Sequence, residues 1–464
     1  MSVNDPIVLF AIAISLAIAV AGVFRPFLGL IVLVAIHFLQ PAELIASLEP
    51  FRVELVYATV LLLGFAIHRF STPTASLLSN RILVASVLLF GAACLSVPFS
   101  IWRGGALDST IEMAKVIALL FLVTGLIDYN SQLNKFLWLQ VALLGWFTFS
   151  GLYSFLHGQF YALGKLERAE GVSSVAGGPN QLAGLLLSLL PFLIAQIRCN
   201  KNIFVRIILI GCGGVAVAMM VFTGSRIAIL GLATLALYYT VKSRHKVLYF
   251  AVCLALSFAV WISMPEMYQQ RYLTLMNYAA GGDLDPSNAY RIEIWQAGWR
   301  MFADHPVLGV GAGQFGTAFG LIYSHKEHGS WMNPHNLLIQ VACELGLVGL
   351  LVFTYFLVQI VTAIHSVLRM KGNPTVRLNY EIAMACSAMF LSTIVISLVS
   401  HTLYRPYWYL LAGFAGANRT VALARQSNRA PAPSEEAPEQ KKTSTEPGHS
   451  QESWLVSQSP TWRP

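Results

Sequence analysis

The sequence predicts an all-α polytopic membrane protein, with about twelve transmembrane helices and one large outer loop. Three observations lead there. The chain is 56% hydrophobic and only 11% charged, with a mean hydropathy of +0.63, whereas soluble domains carry about 25% charged residues. Apolar runs of roughly 17–23 residues recur, each long enough to cross a hydrocarbon core as a helix. The runs do not alternate apolar with polar, which excludes the strand pattern of a barrel.

Apolar spans read near 7–23, 27–40, 54–69, 82–98, 112–127, 134–156, 178–197, 203–222, 226–240, 246–263, 335–367, 380–401 and 406–418. The segment 27–40, flanked by Pro26 and Pro41, reads as short or re-entrant. Discounting it leaves both chain ends on the inner side. Basic clusters mark that side: Arg198, Lys201 and Arg206, then Lys242, Arg244 and Lys246, then Arg369, Lys371 and Arg377, then Arg419, Arg425 and Arg429. The chain accordingly divides into a bundle over 1–263, an outer loop over 264–334, C-terminal spans over 335–420 and a tail over 421–464. The tail, rich in Pro, Ser, Glu, Gln and Lys, reads as a disordered cytoplasmic segment.

The net charge of +8 sits in those short clusters and serves as an orientation signal, so nucleic acid is not a predicted partner. Of the six cysteines, Cys94, Cys212, Cys253, Cys343 and Cys386 lie in apolar runs and Cys199 at a helix edge, which supports no disulfide framework. No cleavable signal is read over Ile7 to Val23.

The outer loop carries four cations, Arg271, Arg291, Arg300 and Lys326, against six acids, the balance of a translocated segment. Asp285-Pro286 reads as an N-cap with proline at the first helical position. Ile292, Trp295, Trp299 and Phe302 follow at helical spacing, so an amphipathic helix is expected on the membrane or the bundle, ended by Asp304-His305-Pro306. Gly311, Gly313 and Gly316 match GxGxxG, but no strand or βαβ unit surrounds them, and a flexible turn is the expected role. His325, Glu327 and His328 are too mixed a group for a metal site.

At Asn333-Pro334-His335-Asn336 the polar loop meets a long apolar helix. His335 and Asn336 are followed by nine residues, Gly346, two residues and Gly349. An imidazole titrates near neutral pH and accepts a hydroxyl proton. At a helix N-terminus its neutral, basic form is favoured. A helix over 335–367 would be roughly 50 Å long, against a core of about 30 Å, which places His335 at or above the interface. Arg168, Arg226 and Arg291 are all expected on the outer face. Guanidiniums converging there would bind a diphosphate through bidentate bonds. Each also reads as an interfacial anchor.

These residues resemble the O-antigen ligase and O-antigen polymerase superfamily of bacterial envelope proteins. His335, Asn336, Gly346 and Gly349 meet its pattern of His, an amide or hydroxyl residue, nine residues, Gly, two residues, Gly. Ala289-Tyr290-Arg291 through Trp295 and Asp304-His305-Pro306 through Gly309 and Gly311 are similar to its outer loop. Arg226 and Leu230 meet its Arg-and-Leu pattern, a weak one that Arg103, Arg244, Arg271 and Arg419 also meet. The likeness covers roughly 170–400.

The resemblance implies inverting, metal-independent and cofactor-free glycosyl transfer on the periplasmic face of the bacterial inner membrane. The donor would be a glycan on undecaprenyl diphosphate and the acceptor a hydroxyl of the lipid A core. His335 would be the general base and Arg226 a catalytic diphosphate ligand, with Arg291, Arg168, Asn336 and Arg300 binding substrate. Phe24-Arg25-Pro26-Phe27-Leu28-Gly29, followed by Pro41, is similar to relatives proposed to glycosylate exopolysaccharide or protein. An O-antigen or exopolysaccharide polymerase and a protein O-glycosylation ligase are therefore alternatives. A lipid-glycan transporter would show mid-span charges and inverted repeats; the sequence has few such charges and no clear inverted repeat.

Overall fold

A computed structural model describes residues 22, 24–44, 53–71, 80–163, 166–173, 175–279, 286–324 and 331–427. The expected span at 7–23, the cap at Asp285, His325 and His328, and the tail from 428 on lie outside these residues. Fourteen helices of fourteen residues or more are named here in chain order: α1 (Pro26–Leu39), α2 (Val53–Ser71), α3 (Arg81–Ser96), α4 (Arg103–Leu126), α5 (Asn130–Leu156), α6 (Pro179–Cys199), α7 (Ile203–Phe222), α8 (Arg226–Lys242), α9 (Lys246–Ser263), α10 (Glu266–Ala279), α11 (Pro286–Asp304), α12 (Leu337–Leu368), α13 (Arg377–Ser397) and α14 (Pro406–Ser427). Local chemistry starts several of them. Asn80 and Asn202 accept backbone N–H bonds from Ile82 and Phe204 and so cap α3 and α7. Proline opens α1 and α6, where a missing N–H costs nothing.

Among the described residues, seven helices are long and apolar enough to cross a membrane: α3 with the turn that follows it, α4, α5, α6, α7, α12, and α13 with the turn that precedes it. The expected number of about twelve exceeds this. α8 has only 17 residues and α1 has 14, about 26 and 21 Å of helix against a core of about 30 Å. The short reading of 27–40 agrees with α1. The tail expected from 421 begins as helix instead: α14 runs to Ser427, because Val421 and Ala422 are buried.

α14 is the post of the bundle and packs against α4, α12 and α13. Trp408, Tyr409 and Phe414 on it are fully buried, and the Phe414 ring sits 4.9 Å from Phe136 of α5 and 5.5 Å from Phe192 of α6. One polar clasp crosses this interior. Asn379 Nδ2 donates to Asn418 Oδ1 at 3.0 Å, and Asn418 Nδ2 to the Asn379 backbone carbonyl at 2.9 Å, giving both buried amide nitrogens a partner. On the outside, α7 and α9 present Phe204, Ile207, Ile208, Phe250, Leu254 and Phe258 to the surroundings. An apolar helix face left exposed along its length suits lipid, where backbone groups are satisfied within the helix.

α12 is not one straight helix. Gly346 inside it has φ 64° and ψ −159°, a region that only glycine occupies readily. The segment 306–311 enters at that break. Leu347 and Val348 N–H donate to the Pro306 and Val307 carbonyls at 2.8 and 3.2 Å, while Val310 and Gly311 N–H donate to the Cys343 and Glu344 carbonyls at 2.7 and 3.1 Å. The backbone groups freed by the break are thus satisfied by protein, the condition for irregular backbone at membrane depth. A Cβ at Gly346 would overlap the Val307 carbonyl, and one at Gly349 would overlap Leu345 Cβ, which the break swings over it. The Gly, two residues, Gly spacing is therefore the break and the clearance beside it. The first segment, from Leu337 to Leu345, is about two and a half turns; the second, of about 22 residues, is ~33 Å long and spans a bilayer core by itself.

α11 packs on that first segment, with Ile294, Ala297 and Met301 against Ile339 and Cys343. It covers the bundle in the manner expected of an amphipathic helix and ends at Asp304. The GxGxxG stretch is packed, in contrast to the flexible turn expected from it. Ala312 N–H donates to Ser96 Oγ at 3.1 Å and Gly313 N–H to Tyr404 Oη at 2.9 Å. Buried Glu344 accepts from that tyrosine at 2.8 Å and from Gly313 N–H at 3.1 Å.

Candidate active site

A cavity of about 770 Å³ lies between Tyr161 and Arg168, helices α6, α8, α10 and α11, His335 just before α12, the end of α13, the 399–405 turn and the start of α14. Leu230 and Gly184 line it within α8 and α6, so it descends among the apolar helices. Five arginines line it: Arg168, Arg226, Arg271, Arg291 and Arg405. So do two histidines, His335 and His401, and no described carboxylate does.

The arginines come from distant parts of the chain. Arg168 ends β2 (Leu166–Arg168), which pairs antiparallel with β1 (Tyr161–Leu163) in a small hairpin. The turn closing α7 organises this side of the cavity. Gly224, at φ 56°, lets the chain reverse without the cost that a Cβ meets in the left-handed region. The Thr223 and Gly224 carbonyls then accept from Arg168 Nε and Arg271 Nε, each at 2.7 Å. Arg226 follows two residues later, at the start of α8. Arg168 also donates to Asn180 Oδ1 at 3.1 Å and lies 5.9 Å from the Tyr161 ring centre. Burial, and then the neighbouring Arg271 charge, lower its pKa to about 10. The two guanidiniums repel each other, and an anion bound between them would relieve that repulsion.

His335 has φ 47°, uncommon for a residue with a side chain and worth about 1–2 kcal/mol of strain. Neighbouring bonds hold it there. Trp295 Nε1 of α11 donates to the Pro334 carbonyl at 3.0 Å. Asn336 accepts from Ile339 N–H at 3.2 Å, capping α12, and donates to the Leu398 carbonyl at 3.1 Å. Burial, then Arg291, lower the His335 pKa below its usual 6.5, so the imidazole is neutral at neutral pH.

Of the residues singled out in the sequence, Arg168, Arg226, Arg291 and His335 share this cavity. Asn336 and Arg300 do not line it. The Asn336 amide is engaged as a cap. Arg300 is exposed on α11; nine residues after Arg291 it is about two and a half turns away, on the opposite face. Sequence reading missed Arg271, Arg405 and His401. Arg271 does meet the Arg-and-Leu pattern, with Leu275. His401 and Arg405 occupy the short polar break between two apolar runs, the place where a chain returns to the mouth of the bundle. Among the described residues, no three His, Cys, Asp or Glu side chains cluster as metal ligands.

Residues 211–354 match the model of the O-antigen ligase family. They include Arg226, Arg291, His335, Gly346 and Gly349. Over that stretch this chain is similar to the O-antigen ligase superfamily. A stretch of 129 residues is also 26% identical to a candidate polysaccharide ligase of Rickettsia conorii, covering 26% of this chain and 29% of that protein. The match thus spans under a third of the relative's length. In this chain Arg168, His401 and Arg405 reach the cavity from outside the family-matched segment.

Proposed function

We propose that the protein is a glycosyltransferase of the bacterial inner membrane, acting at the periplasmic face. It moves a glycan from undecaprenyl diphosphate to an acceptor hydroxyl, with the lipid A core as acceptor. One observation carries the reading: five guanidiniums and a neutral imidazole share a cavity that no described carboxylate lines. Guanidiniums bind phosphate oxygens in bidentate pairs, and five of them match a diphosphate far better than a neutral sugar.

The chemistry is a single displacement. His335 takes the proton of the acceptor hydroxyl as its oxygen attacks the anomeric carbon. The bond from that carbon to the diphosphate oxygen breaks, and the electron pair leaves with the diphosphate. Arg226, Arg291 and Arg168, joined by Arg271 and Arg405, stabilise the charge that develops on it, as preorganised cations do in a water-poor site. Asn336 holds the backbone of His335 in place. Direct displacement inverts the anomeric centre. Ile227 and Leu230 offer an apolar wall against which the lipid of the donor would lie.

Purified protein in proteoliposomes, given the lipid-diphosphate glycan and lipid A core, should elongate the core, read as a gel shift. His335→Ala should bind donor and transfer nothing, since a general base contributes about 10²–10⁴ in rate. Longer lipid-linked chains without core product would make the protein a polymerase. Movement of the glycan lipid across the bilayer without any product would make it a transporter.

A further inference from the structure

We propose that His401 is a positioning residue that acts through His335: the two imidazoles form one proton-holding pair at the wall of the cavity. The inference rests on the transfer reaction proposed above and deepens it. His401 lies in the turn between α13 and α14. Its ring stands edge-on to that of His335, with centres 5.4 Å apart and planes at 70°. Both rings line the cavity. Nδ1 of His401 is buried and has no hydrogen-bond partner among the described residues. A buried polar atom left so is costly and calls for a functional explanation.

The surroundings define what the pair can do. Arg291 faces it from α11, Arg226 from α8, Arg271 from α10, Arg168 from β2, Arg405 from its own turn and Tyr407 from the start of α14. The charged side chains described on this wall are all cations. When His335 takes the acceptor's proton, an imidazolium forms among cations with no described carboxylate on the wall to receive its hydrogen bond. Serine-type triads solve that problem with an acid. Here a neutral imidazole lies beside it instead. Burial, then His335, then Arg405, lower the His401 pKa to about 4. His401 therefore remains uncharged while His335 cycles, with a ring lone pair available to it. The pair holds one proton between two rings, as coupled sites do. That proton finally passes to the diphosphate oxygen freed when the anomeric bond breaks.

The test compares His401→Phe, which keeps ring volume and removes the acceptor, with His401→Gln, which restores one. Two readouts are taken on the full-length protein in detergent. One is the pH profile of transfer. The other is the pH midpoint for carbethoxylation of His335 by diethyl pyrocarbonate, read by peptide mass spectrometry. His401→Phe should lower kcat at neutral pH by about tenfold or more, as expected for a weakened general base, with donor KM unchanged. Its His335 midpoint should fall, because the imidazolium has lost its acceptor. His401→Gln should recover most of both. An unmoved His335 midpoint in His401→Phe, or a Gln variant that behaves like Phe, overturns the pair. Intact donor binding in His401→Phe shows that it has folded. If the wild type transfers nothing, the glycosyltransferase reading falls, and the midpoint still decides whether the imidazoles are coupled.

Discussion

Gly346→Ala is the sharpest test of how this site is held. At φ 64° and ψ −159°, alanine lies in a region that costs about 1–3 kcal/mol. The added Cβ would also overlap the Val307 carbonyl, so the 306–311 segment must withdraw. That withdrawal endangers the four backbone hydrogen bonds joining it to residues 343–348, each worth about 1 kcal/mol net. The combined penalty is about 3–6 kcal/mol, a large part of the stability of an ordinary domain. The first segment of α12 starts just after His335 and supports α11 and Arg291, so the cavity should shift with it. A misplacement of about 1 Å is enough to cost roughly 10²-fold in rate. The assay is paired: thermal unfolding of the detergent-solubilised protein by tryptophan fluorescence, and transfer from a lipid-diphosphate glycan. Gly145→Ala in α5, where a Cβ meets nothing within 4 Å, is the control and should melt no lower than wild type. If Gly346→Ala melts and transfers like wild type, the account of the glycine pair is wrong.

Three further outcomes are expected. Arg271→Ala and Arg405→Ala should each raise the donor KM by about 10–100-fold, the loss of a charge-assisted bond of ~1.5–3 kcal/mol, measured by initial rates at varied donor. Arg300→Ala, on the exposed face of α11, should leave transfer within about twofold of wild type, since surface changes stay within ±0.5 kcal/mol; a larger loss would bring Arg300 back into the site. The rate should fall as pH drops through a midpoint below 6.5, because the His335 pKa is lowered and only its unprotonated form accepts a proton. A midpoint above 6.5 would refute the burial and Arg291 environment as the controlling influence.

Much of the architecture was legible from hydropathy. Run length and the scarcity of charge determine that a segment crosses lipid as a helix, a local property. Legibility failed where a helix end or break depends on a distant partner. The run 335–367 reads as one long helix, because Gly346 looks like any glycine in an apolar run. Its break exists because residues 306–311 satisfy the backbone groups it releases. Likewise, Gly311, Gly313 and Gly316 read as a flexible turn, yet the stretch is fastened to Ser96, Tyr404 and Glu344.

The candidate site divides in the same way. His335 was visible by itself, at the abrupt border between polar loop and apolar helix, and Arg226 by its place at the start of a span. Chemistry and position on the chain are properties of sequence, and they determined the membrane class of the protein and the residue types available to the site. Which arginines share the cavity is a question of rotation and reach. Arg291 and Arg300 lie on one helix and differ only by about half a turn of phase. Arg168 and Arg271 meet only because both bind the turn at Thr223-Gly224, and His401 reaches His335 only because α12, α13 and α14 pack together. Tertiary structure alone decided these juxtapositions, since their partners are tens to hundreds of residues apart and no local preference encodes such distances.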